Sequence, residues 1–140
     1  MRAGAAIAIA GSLTAVTAGV SAAQAAPASA KKTAVVKVGT SQRFGKILRT
    51  VKGHALYIHP SGPCTGTCLG IWPVLLMPKG TSRPGGALCL ATVKFGKRLQ
   101  VTYRKQRLYT FVDDTGRSAT GNGIGGFKVA KLVVKACPKK

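Results

Sequence analysis

The residue types that could do chemistry are crowded into one stretch of the chain. His54 and His59 are five residues apart, Cys64 follows five residues later, and Cys68 four residues after that. Imidazole and thiolate groups are ligands for zinc and copper. A close-set pair of thiols beside basic residues can also have redox character. The stretch therefore suggests a redox or metal-binding module centred on His59, Cys64 and Cys68.

A structural role for this stretch is the stronger prediction. Along an extended strand His54 and His59 point to opposite faces, because an odd number of residues separates them. Thioredoxin-like chemistry uses a two-residue spacing at a helix start, whereas Cys64 and Cys68 enclose a Thr-Gly-Thr loop. We therefore expect this pair to be a disulfide that positions Trp72, with no metal bound.

Four cysteines in an exported chain predict two disulfides. We prefer the pairs Cys64–Cys68 and Cys89–Cys137 among the three connectivities. Gly66 can adopt the unusual backbone angles of a tight ring closed by the first pair. The second pair would fix the C-terminal segment to the middle of the domain.

The acidic residues argue against an enzyme. Asp113 and Asp114 are the only two acids, and they are adjacent in a turn. Neighbouring carboxylates cannot flank a scissile bond as glycosidase chemistry requires, and no nucleophile motif accompanies them. Asp114 is expected to accept hydrogen bonds from turn amides. We therefore predict a non-enzymatic protein without a cofactor.

The N-terminus has the order of a secretory signal peptide. Met1-Arg2 precedes an uncharged run rich in alanine, and Ala23-Gln24-Ala25 fits the cleavage rule. We predict a signal peptide over 1–25, a disordered spacer over 26–33 and one β domain over 34–140. The mature protein would be secreted or held in the cell envelope, with no transmembrane segment after cleavage.

The charge balance predicts a polyanionic partner. The chain has 22 Lys+Arg residues and a formal net charge of +20, and removal of Arg2 would leave +19. Such an imbalance opposes compaction and attracts anions. We expect binding to anionic cell-wall polymers or lipid headgroups, and no specific nucleic acid partner. The candidate binding residues are Lys97, Arg98, Arg104, Lys105 and Arg107.

Short β-rich runs separated by turn residues predict an all-β fold. One hairpin is expected to join 45–51 to 54–59 around Lys52-Gly53, and another to join 98–103 to 107–112 around 104–106. Further strands are expected at 33–38, 87–95 and 127–136, with one helical turn before Trp72-Pro73.

The two predicted hairpins resemble each other. Each consists of a strand, a basic turn and a second strand toward whose end a Leu-Tyr pair lies, Leu56-Tyr57 in the first hairpin and Leu108-Tyr109 in the second. Aligning the glycines that begin the hairpins, Gly45 and Gly96, requires one residue to be inserted in the second hairpin. We therefore predict two repeats, about 45–79 and 96–136, in a small pseudo-symmetric barrel or sandwich stapled by disulfides.

Three short motifs occur together in this chain. They are Tyr-x-aromatic-x-x-Asp, Cys-x-Gly-x-Cys followed by Trp-Pro, and a glycine-rich approach to a final aromatic residue. The residues that carry them are Tyr109, Phe111 and Asp114; Cys64, Gly66, Cys68, Trp72 and Pro73; and Gly123, Gly125, Gly126 and Phe127. This combination resembles the bacterial "secreted repeat of unknown function" family of predicted lipoprotein-type proteins.

The resemblance implies an exported envelope protein with no established reaction. The first repeat departs from the family motif, since Tyr57 is followed by His59 and Gly62 where the pattern has an aromatic residue and an aspartate. Phe127 stands where the family commonly has tryptophan, and no cysteine lies at the predicted cleavage point to carry a lipid.

Overall fold

The computed structural model describes Gly11 and residues 31–139. The predicted signal peptide, Gly11 aside, and residues 26–30 of the predicted spacer lie outside the described residues. The first strand begins at Thr33, one residue before the predicted start of the domain.

The described chain is built from short strands. Only two helical pieces interrupt them in residues 31–139, the four-residue helix α1 and a 3₁₀ turn over Ile124–Gly126. The elements in chain order are β1 Thr33–Ala34, β2 Val36–Ser41, β3 Gly45–Thr50, β4 Tyr57–Ile58, α1 Cys68–Ile71, β5 Pro84–Gly85, β6 Leu90–Phe95, β7 Arg98–Tyr103, β8 Gln106–Arg107 and β9 Lys128–Val129. The all-β prediction is confirmed, and so is the single helical turn before Trp72.

Two antiparallel hairpins, β2–β3 and β6–β7, form the largest paired regions. Each continues into a third segment. The chain folds back on β3 after the turn 51–53, with Thr50 N–H donating to His54 O (2.8 Å). It folds back on β7 after the two-residue turn Arg104-Lys105, so that β8 pairs with β7. Both predicted hairpins are therefore present, and each gains a preceding strand that the sequence did not predict as its partner.

The turns of the two hairpins differ in length. The turn at 51–53 is one residue longer than the two-residue turn at Arg104-Lys105. Arg104 and Lys105 have φ of 48° and 69°. Two successive left-handed residues match the right-handed twist of the flanking strands, so this turn needs only two residues.

We call the two predicted repeats, residues 45–79 and 96–136, the two halves, and they make matching main-chain hydrogen bonds to each other. In the first half Leu48 N–H donates to Ala130 O (2.8 Å), Ala130 N–H to Leu56 O (2.8 Å) and Leu56 N–H to Leu48 O (3.0 Å). The second half makes the same three bonds: Val101 N–H donates to Leu75 O, Leu75 N–H to Leu108 O and Leu108 N–H to Val101 O. Each half thus supplies the third residue of the other half's arrangement, and the fold is pseudo-symmetric.

Several predicted strands are shorter than the sequence suggested. The strand predicted over 54–59 is regular only over β4. The strand predicted over 87–95 begins at Leu90, because Cys89 adopts a φ of 61°. The strand predicted over 107–112 ends at Arg107 in β8, and Tyr109 makes isolated bridges. Over 127–136 only β9 is regular. After β9 the chain still bonds to the main chain of β3, as when Leu132 N–H donates to Lys46 O (3.0 Å), but Val133 N–H donates to a side chain, Tyr103 Oη (2.8 Å).

The buried side chains form two clusters. One is mainly aliphatic and packs under the hairpins. The other is mainly aromatic and lies where the two halves meet. The small sheets do not close into a barrel within residues 31–139, which is consistent with the sandwich alternative. No helix in the described part of the chain has the length and apolar character needed to cross a membrane.

Both preferred disulfides are present. Cys64 is bonded to Cys68, and Cys89 to Cys137, with Cα–Cα distances of 5.6 and 5.2 Å. The second bond joins the C-terminal segment to the start of β6. Arg104 reinforces this attachment by donating to Lys135 O (3.0 Å) and Ala136 O (2.9 Å).

Candidate functional site

A column of four stacked rings lies at the junction of the two halves. The ring of Phe127 stacks on Trp72 with centroids 3.8 Å apart and planes 6° apart. His59 stacks on the outer side of Phe127 (4.3 Å), and Phe111 lies against the outer side of Trp72 (4.6 Å). We call His59, Phe127, Trp72 and Phe111 the aromatic column.

The aromatic column has the same internal symmetry as the backbone. His59 and Phe111 each lie two residues after a buried tyrosine and occupy the two ends. Tyr57 meets Trp72 edge-on at 5.2 Å, and Tyr109 meets the other central ring edge-on at 5.3 Å. Trp72 is only 3% exposed. The tryptophan that follows the loop closed by Cys64 and Cys68 is therefore packed in the core and is not exposed for binding.

The two tyrosines lie at the centre of this symmetry. Tyr57 N–H donates to Tyr109 O (2.8 Å), and Tyr109 N–H donates to Tyr57 O (2.9 Å). Each hydroxyl group is bound by the loop that follows the other tyrosine. Tyr57 Oη donates to Asp114 Oδ2 (2.5 Å), while Tyr109 Oη accepts from Cys64 N–H (3.0 Å). The aspartate of the Tyr-x-Phe-x-x-Asp motif thus serves the tyrosine of the opposite half.

Asp114 is buried, and hydrogen bonds occupy both of its carboxylate oxygens. Besides Tyr57, Asp114 accepts from Thr120 N–H (2.8 Å), Thr120 Oγ1 (2.8 Å) and Ser118 Oγ (3.3 Å). Burial raises the pKa of the Tyr57 hydroxyl, and the hydrogen bond to Asp114 raises it further, against smaller opposing effects of Gly121 N–H and Arg49. The hydroxyl therefore remains protonated and acts as a fixed donor.

The metal hypothesis gains no ligand set from the structure. The sulfur atoms of Cys64 and Cys68 are bonded to each other. The ring nitrogens of His59 face main-chain oxygens, Nδ1 that of Gly62 (2.6 Å) and Nε2 that of Gly125 (3.2 Å). Among the residues that the structure describes, no three His, Cys, Asp or Glu side chains are grouped to hold a metal ion.

The five basic candidates lie at the two ends of β7. Lys97 and Arg98 are at the turn that precedes it, and Arg104, Lys105 and Arg107 are at the turn that follows. The strand separates these groups by about 17 Å, at roughly 3.4 Å per residue. The structure therefore brings the candidates into two basic groups and not into one.

Each of these groups borders a surface cleft. Lys97 and Arg98 line a cleft of about 470 Å³ together with Lys79, Thr81 and Ser82. Lys105 and Arg107 line a cleft of about 220 Å³ beside His59. The arginines have fixed positions: Arg98 Nη2 donates to Met77 O (2.7 Å), and Arg107 Nη1 donates to Gln100 Oε1 (2.8 Å).

A third basic cleft was missed by sequence reasoning. Its volume is about 410 Å³, and Arg43, Arg49 and Arg117 line it, with Ser41 at the end of β2 and Gln42 in the turn that follows. We call it the arginine cleft. The only sequence signal was an arginine directly after Ile47-Leu48 within a predicted strand. Arg43 and Arg117 come from turns far apart in the chain, and nothing in their local patterns associates them.

A larger cleft of about 570 Å³ has a mainly apolar lining that includes Phe44, Ile58 and Val133. Lys128 and Lys131 lie among its lining residues. The Nζ atom of Lys131 is 5.8 Å from the centroid of the Phe44 ring. Basic side chains, and no carboxylate of the described residues, therefore line this cleft as well.

Comparison with known proteins gives no relative from which a role could be transferred. No protein-family model, no curated protein and no solved structure matches the chain. The functional argument therefore depends on the residues and geometry described above.

Proposed function

We propose that this protein is exported to the cell envelope, where it binds anionic polymers through its cationic surface without catalysing a reaction. We also propose that it is related to the secreted-repeat family whose motifs it resembles, and that its two halves are repeats. The observation that carries the binding proposal is the way the arginines are held. Arg98, Arg104 and Arg107 all donate hydrogen bonds to neutral acceptors, mainly main-chain carbonyls.

Neutral acceptors fix an arginine without cancelling its charge. A guanidinium paired with a carboxylate would lose most of its attraction for an external anion, whereas one held by carbonyls keeps it. The chain contains only two acids, and Asp114 is buried with both oxygens engaged. The three basic clefts are therefore suited to anions that the protein itself does not supply.

Several features support a binding role over an enzymatic one. The buried carboxylate of Asp114 and the buried hydroxyl of Tyr57 bind each other in the core. A redox or metal module around His59, Cys64 and Cys68 is the competing hypothesis, and Cys64 is only 5% exposed. Thiol titration with metal analysis of the native protein separates the two: free thiols or a bound metal would favour the module.

The binding proposal is tested by titrating the mature chain with soluble poly(glycerol phosphate) at several salt concentrations. We expect tight binding at low salt and a linear fall of log K with log salt, because each phosphate contact releases counterions. In the variant Lys97→Gln/Lys105→Gln the slope should fall by about one for each phosphate group that is no longer bound by a lysine.

Phosphatidylcholine vesicles with and without phosphatidylglycerol provide the comparison with lipid headgroups. Binding to anionic vesicles but not to the soluble polymer would make headgroups the partner. If the native chain bound neither at low salt, or bound with no salt dependence, the proposed function would be wrong.

A further inference from the structure

The arginine cleft contains a buried guanidinium without a carboxylate partner. Arg49 is 5% exposed and donates three hydrogen bonds, all to main-chain carbonyls. Nη1 binds Gly53 O (3.0 Å) and Arg117 O (3.1 Å), and Nη2 binds Thr40 O (3.3 Å). Burial of an arginine is costly unless its charge and its donors are satisfied. The carbonyls satisfy donors but do not supply the opposite charge.

The hydrogen bonds leave part of the Arg49 fork available. A guanidinium has five N–H donors, and the carbonyl bonds use both of those on Nη1 and one on Nη2. The Nε–H group and one N–H of Nη2 remain. Two N–H donors on one planar fork match the oxygens of a phosphoryl group or a carboxylate.

Gly39 makes room for this side chain. It lies on β2, which pairs with β3, and the Arg49 side chain crosses over it. A Cβ atom at position 39 would lie 2.6 Å from Arg49 Cδ and 2.7 Å from Nε. The glycine therefore allows the guanidinium to reach the cleft, and any larger residue would displace it.

Two further guanidinium groups line the same space. Arg43 is exposed and held over the Phe44 ring, with Cζ 5.2 Å from the ring centroid. Arg117 is also exposed and lines the cleft, and its carbonyl oxygen anchors Arg49. Among the described residues no carboxylate lines the arginine cleft. The oxygens of the buried Asp114 are engaged by Tyr57, Ser118 and Thr120.

We propose that the arginine cleft binds one phosphoryl group of the anionic polymer. This inference rests on the proposed function, because it names the chemical group that the cationic surface recognises. Three guanidinium groups around a space of about 410 Å³ suit a tetrahedral oxyanion better than a planar carboxylate. The exposed Arg43 and Arg117 would bind its outer oxygens, and the fixed fork of Arg49 would bind the inner ones.

The test uses the native chain and sn-glycerol 3-phosphate as the probe, followed by NMR of the arginine side chains. Binding should shift the Nε–H resonance of Arg49. The variant Arg43→Gln/Arg117→Gln removes two charges at the cleft, whereas Lys97→Gln/Lys105→Gln removes two charges elsewhere. We expect Kd to rise at least about tenfold in the first variant and less than about twofold in the charge-matched control.

Gly39→Ala provides an independent variant that leaves every charge in place. Displacement of Arg49 should weaken glycerol phosphate binding while Arg43 and Arg117 remain. Should this variant fail to fold, the two double variants still decide the question. Equal weakening in both double variants, or no shift at Arg49 Nε, would overturn the inference.

The outcomes separate this inference from the general function. A native chain that binds poly(glycerol phosphate) but not glycerol phosphate refutes the phosphoryl site and leaves polymer binding intact. A chain that binds only phosphatidylglycerol vesicles refutes it also, because the headgroup phosphate would then act only within a membrane surface. Absence of binding to every polyanion refutes the proposed function itself.

Discussion

Removing the hydroxyl group of Tyr57 should destabilise the protein more than removing that of Tyr109. The two side chains are equally buried and lie at corresponding positions of the two halves. Tyr57 Oη donates to a carboxylate at 2.5 Å and accepts from Gly121 N–H (3.1 Å), whereas Tyr109 Oη accepts only from Cys64 N–H (3.0 Å). The pair therefore isolates the contribution of the charged hydrogen bond.

The expected magnitudes follow from these partners. A hydrogen bond to a charged group contributes about 2 kcal/mol, and a buried N–H left without an acceptor costs about 1–2 kcal/mol. Tyr57→Phe should therefore lower the free energy of unfolding by about 3–4 kcal/mol. Tyr109→Phe leaves one amide without its acceptor and should cost about 1–2 kcal/mol. The difference is a large fraction of the stability of a small domain.

The pH dependence adds a second observable. The pKa of Tyr57 is raised in the folded state above its unfolded value of about 10. The folded protein thus holds this proton more tightly, so its stabilising effect is complete below about pH 10 and is lost as the pH rises further. Above that pH the native protein should lose up to about 1.4 kcal/mol per pH unit relative to Tyr57→Phe, which lacks the group.

Urea unfolding with the disulfides intact measures both effects, because the single tryptophan is buried in the column and reports on it directly. The two proteins share every other side chain, so all other contributions cancel in the comparison. Equal costs for Tyr57→Phe and Tyr109→Phe would show that the Asp114 hydrogen bond adds nothing. If the free energies of unfolding of the native protein and Tyr57→Phe stayed parallel above about pH 10, the raised pKa of Tyr57 in the folded state would be contradicted.

The remaining predictions concern the two disulfides and the packing of the aromatic column. Cys89→Ala/Cys137→Ala removes a disulfide between residues 48 apart and should lower the free energy of unfolding by about 4 kcal/mol on the chain-entropy model. Cys64→Ala/Cys68→Ala removes one between residues 4 apart and should lower it by about 2 kcal/mol. Equal urea midpoints for the two variants would refute the entropic account. Gly121→Ala should cost about 1–3 kcal/mol, because its Cβ would lie 2.7 and 2.9 Å from two rings of the aromatic column. An unchanged thermal midpoint for Gly121→Ala would contradict the tight packing.

Local sequence patterns were enough to predict most strands and turns, but not which strands pair with each other. Turn residues such as Lys52-Gly53 and the short loop of Cys64 and Cys68 act over a few positions, so the hairpins and the first disulfide could be predicted. The pairing of β2 with β3 was not predicted, since the turn between them lacks a strong two-residue signal. The alternation over 127–136 predicted one continuous strand, whereas the chain pairs with β4 over β9, makes separate main-chain bonds to β3 near Ala130, and then donates from Val133 N–H to the Tyr103 hydroxyl.

The candidate site was harder to predict because its contacts cross between the halves. Tyr57 and Asp114 are 57 residues apart, and the first half lacks an aspartate of its own. A motif read along the chain assigns Asp114 to Tyr109, whereas the fold assigns it to Tyr57. Arg49 illustrates the same difficulty, since its burial depends on Gly39 in a neighbouring strand and on a carbonyl from Arg117.

The position of Asp114 connects the core to the surface. By burying this carboxylate, the protein leaves Asp113 as the one acidic side chain exposed in a sequence with 22 Lys+Arg residues. Self-repulsion among the cations opposes folding, and the aromatic column and disulfides resist it by means that do not depend on surface charge. A bound polyanion would relieve the same repulsion and favour the folded state by mass action. The buried aspartate thus contributes hydrogen bonds to the core and leaves the surface cationic, and the proposed binding of polyanions depends on both effects.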